Sequence, residues 1–133
     1  MVTTCEPIII VEDDADVAAI LKARLNAAGY EVQLEQLGAD AIRRIYSRQP
    51  ALVILDVQLP DVDGYAVCEE LRYRYDPEEV PIVMFTVLDD PEHEARGRAA
   101  GANAYLSKDR DAGQLMQTIE DLLANPLPHE RLA

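Results

Sequence analysis

The chain has 133 residues and a formal net charge of −13 at pH 7, with 25 acidic and 12 basic side chains. One domain of this length can bury roughly two thirds of its unfolded surface, so we expect a single core. The negative charge disfavours direct binding to nucleic acid, and no apolar run approaches the ~18 residues of a membrane span. Residues 1–6 lack the basic and then apolar pattern of a secretory signal, so a cytoplasmic protein is expected.

Cysteine and histidine residues are too scattered to predict a disulfide or a metal site of their own. Cys5 and Cys68 form no CxxC unit, so two reduced thiols are expected. His93 and His129 have no second His or Cys at ligand spacing, so we expect both at the surface.

Strand and helix patterns alternate from the beginning of the chain. Residues 7–11 form an apolar run that predicts a strand, and Asp14 can cap a helix that ends near Ala28. Residues 31–34 alternate polar and apolar side chains, as an edge strand does, and a second helical pattern begins near Ala39.

The third predicted strand, residues 52–55, ends on a carboxylate. Four consecutive apolar residues are typical of a strand that is buried on both faces. Asp56 follows where this strand should leave the sheet, and residues 59–64, Leu-Pro-Asp-Val-Asp-Gly, supply turn chemistry. A third helix is predicted from Tyr65, with Arg72 on its outward face. Asp56 taken alone indicates only the end of a strand.

The fourth strand and the fourth helix have clear boundaries in the sequence. Residues 81–86 are a second apolar run of the fully buried type. Asp90 and Pro91 combine an N-cap residue with proline at the first helical position, and the helix should end at Gly101.

The last strand and helix complete the predicted domain. Residues 103–107 are predicted as a fifth strand, and Asp111 with Gln114 resembles the capping box of a last helix. We expect one domain over residues 1–126, and residues 127–133 to be a tail or the start of a linker.

Five strands that alternate with five helices predict an α/β fold with a parallel sheet covered on both faces. The carboxyl ends of such strands meet at one edge of the sheet. Glu12 and Asp13 follow the first strand and Asp56 follows the third, so folding could bring the three carboxylates together. Clustered carboxylates raise each other's pKa unless a cation neutralises them, and Mg²⁺ prefers such oxygen ligands.

The spacing Asp56-x-x-Leu59-Pro60-x-x-Asp63-Gly64 at the end of an apolar run resembles the phosphoacceptor loop of response-regulator receiver domains. The resemblance covers about residues 6 to 124. It implies the flavodoxin-like fold, a doubly wound five-stranded parallel sheet in the order 2-1-3-4-5 with five helices. It also implies that Asp56 is the aspartate that takes a phosphoryl group.

The resemblance assigns a magnesium site to the same edge of the sheet. Asp13, Asp56 and the backbone carbonyl of Gln58 would coordinate Mg²⁺ directly, and Glu12 would act mostly through water. Only the backbone of Gln58 would be used, so the identity of its side chain matters less for the metal.

Two further site residues and a switch residue follow from the resemblance. Thr86 at the end of the fourth strand would bond a phosphoryl oxygen, and Lys108 after the fifth would pair with the phosphate or with the acceptor carboxylate. Tyr105 points to the opposite side of its strand from its neighbours, so we expect its ring near helices four and five rather than in the core. After phosphorylation Thr86 should move towards the phosphate, and the Tyr105 ring should turn inward.

Two residues depart from the family pattern beside the site. Val87 follows Thr86 where a small residue is usual, and Asp109 follows Lys108 where proline is usual. A cis bond between Lys108 and Asp109 would cost roughly 2.5 to 4 kcal/mol, so we expect a trans bond and an altered loop.

The implied function is a phosphorylation-dependent switch in a two-component phosphorelay, and not an enzyme, although self-dephosphorylation is compatible with it. The implied partners are a sensor histidine kinase or phosphotransfer protein, and a downstream protein or output domain on the face of helix four, strand five and helix five. A second copy of the chain could bind as a homodimer, whereas nucleic acid and membrane are not expected as direct partners.

Three other functions share features with this sequence. A receiver-like docking module that needs no phosphorylation is the strongest of them, because of Val87 and Asp109. An aspartate-nucleophile phosphatase is disfavoured because Val17 stands where that family has Gly-Thr. A flavin-binding domain is disfavoured because the loop after the first strand is acidic rather than rich in glycine and hydroxyl groups.

Overall fold

The computed structural model describes residues 6–124. The strands are β1 Ile8–Val11, β2 Val32–Glu35, β3 Leu52–Leu55, β4 Ile82–Thr86 and β5 Ala104–Ser107. The helices are α1 Ala15–Ala27, α2 Gly38–Ser47, α3 Gly64–Arg72, α4 Pro91–Ala100 and α5 Leu115–Ala124. The strands form one parallel sheet in the order β2-β1-β3-β4-β5, so the predicted fold and strand order are confirmed. The predicted domain end at residue 126, the tail 127–133, Cys5 and His129 lie outside the described residues.

The register of the strands determines which side chains meet at the carboxyl edge. Val11 at the end of β1 aligns with Leu55 at the end of β3, so the residues that follow them leave the sheet side by side. Thr86 at the end of β4 aligns with Ser107 at the end of β5. The site residues predicted from the sequence therefore converge because the strands end together.

Each face of the sheet packs against its own set of helices. Successive strand residues point to opposite faces, which divides the core into two clusters. One cluster contains Val11, Leu55, Met84, Val67 of α3 and Ala100 of α4. The other cluster contains Ile10, Ile54, Phe85, Leu21 of α1 and Ile119 of α5. Within residues 6–124, none of the helices combines the length and the apolar character that a membrane crossing requires.

Most predicted helix boundaries agree with the structure. Asp14 caps α1 by accepting hydrogen bonds from the backbone N–H groups of Asp16 and Val17. Asp90 caps α4, and Gly101 ends it with a φ of 112°, a conformation that glycine adopts without strain.

The predicted capping box of the last helix is wrong. Residues Ala112–Gln114 form a 3₁₀ turn before α5, and the Asp111 side chain caps neither element. Asp111 Oδ2 instead accepts a hydrogen bond from the backbone N–H of Ser107, at 2.9 Å. The Asp111 side chain is therefore bonded to the end of β5 and not to the helix.

Cys68 lies in the core, whereas His93 lies near the surface. Cys68 is a buried free thiol, as predicted, and burial raises its pKa to about 11. His93 is partly exposed, pairs with Asp90 and stacks on the Tyr65 ring.

Helix α2 is capped by a side chain from a distant loop. Its N-cap residue, Leu37, has no side-chain acceptor. Asp61 supplies one, because its Oδ1 and Oδ2 accept hydrogen bonds from the backbone N–H groups of Gly38 at 2.9 Å and Ala39 at 3.0 Å. The hydrogen bonds from Ala39 and Gly38 lower the pKa of the Asp61 carboxyl. The loop that follows Asp56 is thereby tied to α2.

We predict that Asp61→Ala lowers the free energy of unfolding at pH 7 by about 1 kcal/mol, as the loss of other N-caps does. The pKa of Asp61 is lower in the folded than in the unfolded chain, so its contribution is present above the ordinary value of 3.8 and is lost as pH falls through the folded value. Urea unfolding over a series of pH values measures the difference. Asp61→Asn keeps an acceptor oxygen, so its free energy of unfolding should fall by less. If Asp61→Ala lowers the free energy of unfolding by the same amount at every pH, the Asp61 carboxylate does not contribute in this way.

Candidate functional site

Three carboxylates meet at the carboxyl edge of the sheet. Glu12 and Asp13 follow β1, Asp56 follows β3, and one carboxylate oxygen from each lies within 4.8 Å of the other two. Glu12 is 4% exposed and Asp56 is 5% exposed, whereas Asp13 lies at the exposed rim. The predicted cluster of acidic side chains therefore exists, with two members buried and one facing solvent.

Lys108 reaches across the sheet edge to both buried carboxylates. Its Nζ donates hydrogen bonds to Glu12 Oε1 at 2.7 Å and to Asp56 Oδ2 at 2.9 Å, and its side chain is 16% exposed. Its backbone N–H donates to the Thr86 carbonyl oxygen at 2.9 Å, which continues the pairing of β4 with β5. The structure thus brings Lys108 into direct contact with Asp56.

The electrostatics of the cluster follow from burial and from this ammonium group. Burial raises the pKa of Glu12, and the hydrogen bond from Lys108 opposes part of that rise. Burial alone would lower the pKa of Lys108, but its hydrogen bonds to Glu12 and Asp56 outweigh burial and raise it. Lys108 is therefore charged at neutral pH, and its ammonium group contacts two of the three clustered carboxyl groups.

The loop after Asp56 is held close to it by backbone contacts. Asp56 Oδ1 accepts a hydrogen bond from the backbone N–H of Gln58 at 3.2 Å, so Gln58 reaches the site through its backbone. Gly64 N–H donates to the Val57 carbonyl oxygen at 2.8 Å. A Cβ at Gly64 would come within 2.7 Å of the Val57 Cα and would also clash with the Asp56 carbonyl oxygen. Glycine is required at position 64 because the chain packs against itself there.

Thr86 lies at the same edge but is bonded to its own loop. It is fully buried at the end of β4, and its Oγ1 accepts a hydrogen bond from the backbone N–H of Leu88 at 3.3 Å. Among the described residues, its hydroxyl has no hydrogen bond to Asp56 or Lys108. Val87, which follows it, is 43% exposed.

The predicted position of Tyr105 is partly wrong. Its ring points away from the face of Ala104 and Leu106 and contacts α4, as expected. The ring is nevertheless a buried member of the core, only 6% exposed, and its hydroxyl donates to the Leu88 carbonyl oxygen at 2.6 Å. A second tyrosine, Tyr65, lies 3.3 Å away, hydroxyl oxygen to hydroxyl oxygen. Tyr105 therefore lies inward in this structure, and the turn of its ring on phosphorylation stays a prediction.

The loop after Lys108 also shows what sequence reasoning missed. The bond between Lys108 and Asp109 is trans, as predicted. Ser107 was not identified as a site residue, although it precedes Lys108 and its hydroxyl accepts hydrogen bonds from two backbone N–H groups of this loop. The only signal for it in the sequence is a hydroxyl side chain at the end of a strand, beside the lysine.

Comparison with known proteins identifies the family. The model of the response regulator receiver domain matches residues 8–120. The phosphate regulon transcriptional regulatory protein PhoB of Rhizobium meliloti is 36% identical over 121 residues, which are 91% of this chain and 53% of PhoB. The chain spans about half the length of the curated relatives that it matches.

Solved structures agree with this comparison. The BeF3-activated N-terminal receiver domain of Klebsiella pneumoniae RstA has a TM-score of 0.82 and 31% identity, over 90% of this chain and 99% of that one. The receiver domain of the sensor histidine kinase PA1611 from Pseudomonas aeruginosa PAO1, solved with a magnesium ion in its active-site cleft, has a TM-score of 0.81 and 26% identity, over 92% and 100%. The chain therefore belongs to the receiver domains of two-component response regulators.

Proposed function

We propose that the domain is a phosphorylation-dependent signalling switch in which Asp56 accepts a phosphoryl group from a phosphohistidine of a sensor histidine kinase or phosphotransfer protein. The observation that carries the proposal is the contact of the Asp56 carboxylate with the Lys108 ammonium group, 2.9 Å apart, within a cluster of three acids. The domain acts as a phosphoacceptor and not as an enzyme on other substrates; self-dephosphorylation of Asp56 is compatible with this role.

The donor atoms at the sheet edge fit Mg²⁺. They are hard carboxylate oxygens from Glu12, Asp13 and Asp56, and the backbone of Gln58 lies beside them. Asp13, Asp56 and the Gln58 carbonyl would hold the ion, with Glu12 near it. When bound, Mg²⁺ would neutralise negative charge on the carboxylates and on the phosphoryl oxygens.

The phosphoryl transfer uses Asp56 as the nucleophile. An Asp56 carboxylate oxygen forms a bond to phosphorus while the P–N bond to the donor imidazole breaks. The imidazole, protonated on its other nitrogen, leaves as the neutral ring and keeps the electron pair of the broken bond. The Lys108 ammonium group offsets the negative charge of the phosphoryl oxygens.

Thr86 can bond the transferred group without first breaking its present contact. Its hydroxyl oxygen accepts from the Leu88 N–H, which leaves its own proton free to be donated to a phosphoryl oxygen.

Leu88 connects this step to the surface that binds the output partner. Its backbone N–H donates to Thr86 Oγ1 and its carbonyl oxygen accepts from the Tyr105 hydroxyl. A shift of Thr86 towards a phosphate would therefore move the backbone group that holds Tyr105. The partner face of α4, β5 and α5 would then repack to bind a downstream protein, an output domain or a second copy of the chain. Such a change requires that the phosphoryl group stabilise one of the two packings more than the other.

A phosphorylation-independent docking module is the second candidate. Val87, which is 43% exposed beside Thr86, and Asp109, which follows Lys108, favour it, because both depart from the family pattern next to the phosphoryl site.

Incubation with Mg²⁺ and acetyl phosphate, followed by intact-mass measurement and site mapping, separates the two candidates. We predict one added phosphoryl group on Asp56, because Asp56 contacts Lys108 and, unlike Glu12, begins the loop that resembles the family's phosphoacceptor loop. Asp56→Asn should take no label, and Asp16→Asn, an exposed acid of α1, should be labelled like the wild type. Label that persists in Asp56→Asn, or a wild-type chain that binds Mg²⁺ and takes no label, contradicts the proposal.

We predict that Asp13→Ala weakens Mg²⁺ binding by about tenfold or more, since changes around metal ligands commonly cost that much. Isothermal calorimetry measures the affinity. Asp16→Ala removes an exposed carboxylate three residues away and should change it little. Equal Mg²⁺ affinities for Asp13→Ala and the wild type would show that this acid does not hold the ion.

The switch can be followed by NMR with beryllofluoride as the phosphate mimic. Chemical shifts should change at Leu88 and Tyr105 and across α4, β5 and α5, because Thr86 and Tyr105 share the Leu88 backbone. Thr86→Ala should abolish the remote changes, and Thr86→Ser, which keeps the hydroxyl, should retain them. Changes confined to the Asp56 loop, or unaltered in Thr86→Ala, would favour the docking module.

A further inference from the structure

Ser107 closes the loop that carries Lys108. Its side chain is buried, and its Oγ accepts hydrogen bonds from the backbone N–H groups of Asp109 and Arg110, both at 3.1 Å. Its backbone is bonded to Asp111 in both directions: Ser107 N–H donates to Asp111 Oδ2 at 2.9 Å, and Asp111 N–H donates to the Ser107 carbonyl oxygen at 2.8 Å. Residues 107–111 therefore form a closed turn, and Lys108 lies at its beginning.

The same hydroxyl ties this turn to the loop after β4. Ser107 Oγ donates to Asp89 Oδ2 at 3.3 Å. Arg110 reaches the same residue, with its Nη2 3.2 Å from the Asp89 carbonyl oxygen and its Nε 3.5 Å from Asp89 Oδ2. A hydroxyl has one proton to donate and two lone pairs to accept with, and Ser107 uses all of them. Three groups from two loops hold the hydroxyl in place: the backbone N–H groups of Asp109 and Arg110, and the Asp89 carboxylate.

Lys108 is consequently held on both sides of its Cα. Its own N–H donates to the Thr86 carbonyl oxygen, and the next two peptide N–H groups donate to Ser107 Oγ. The lysine side chain has four rotatable bonds, so its ammonium group stays near a target only if packing or bonding limits the conformers. Fixing the backbone at Lys108 keeps Glu12 and Asp56 within reach of its Nζ.

We propose that Ser107 is a positioning residue for phosphoryl transfer: it holds the Lys108 backbone so that the ammonium group stays on Asp56. The inference rests on the proposed function, because the placement of Lys108 matters through the chemistry at Asp56. Ser107 acts through Lys108 and does not itself touch the reacting atoms. A small misplacement of such a group reduces the rate of the step that depends on it.

The test measures the initial rate of Asp56 labelling by acetyl phosphate at saturating Mg²⁺. In this reaction an Asp56 oxygen bonds to phosphorus while the bond from phosphorus to the acetate oxygen breaks, and acetate leaves with the electron pair. Ser107→Ala should slow labelling by about tenfold, the effect of losing one or two hydrogen bonds. Ser107→Thr, which keeps the hydroxyl, should restore most of the rate. Ser47→Ala, a matched change at an exposed serine of α2, should leave it unchanged.

A double-mutant cycle distinguishes positioning from general damage to the fold. In a Lys108→Ala chain there is no ammonium group to position, so adding Ser107→Ala should slow labelling no further. Slowing by the same factor in both backgrounds, or a wild-type rate in Ser107→Ala alone, overturns the positioning role. A labelled wild type that is insensitive to Ser107→Ala overturns this inference only, whereas a wild type that takes no label overturns the proposed function as well.

Discussion

One ammonium group between two buried carboxylates is the interaction on which the carboxyl edge of this sheet depends. A buried carboxylate without a partner is costly, and Glu12 and Asp56 share the Nζ of Lys108 as theirs. The three residues follow β1, β3 and β5, and they meet because these parallel strands end at one edge of the sheet in this order and register. The strand order brings Glu12, Asp56 and Lys108 to one edge of the sheet, and the surrounding loops keep the charged groups in contact.

Much of this arrangement could be predicted because it depends on local pattern. Buried parallel strands are continuous apolar runs, and residues 52–55 matched the observed β3 at both ends. Asp14 and Asp90 cap helices from within their own segments, so their roles are visible in the sequence. The strand ends indicated that Glu12, Asp13 and Asp56 could meet, and the strand order implied by the family resemblance placed β1 beside β3.

The features that could not be predicted depend on partners far away in the chain. Alternation gives the face on which Tyr105 lies, but its burial also requires Gly97 in α4, where a Cβ would come within 2.5 Å of the ring. Helical periodicity predicts an outward Arg72 side chain. In the structure its guanidinium group instead donates hydrogen bonds to the carbonyl oxygens of Val80 and Gly101. Asp61 caps a helix that begins 23 residues earlier in the chain. The predicted capping box is likewise absent, because the Asp111 side chain accepts a hydrogen bond from Ser107 and caps no helix.

The most direct test of the central interaction is the free energy of unfolding of Lys108→Met and the wild type, measured with urea at pH 8 with and without Mg²⁺. Without Mg²⁺ we predict that Lys108→Met lowers the free energy of unfolding by about 2 kcal/mol or more, because two buried carboxylates lose their cation. Saturating Mg²⁺ should make this decrease smaller, since a bound ion would neutralise the same carboxylates. A Lys108→Met chain as stable as the wild type in metal-free buffer would contradict the account.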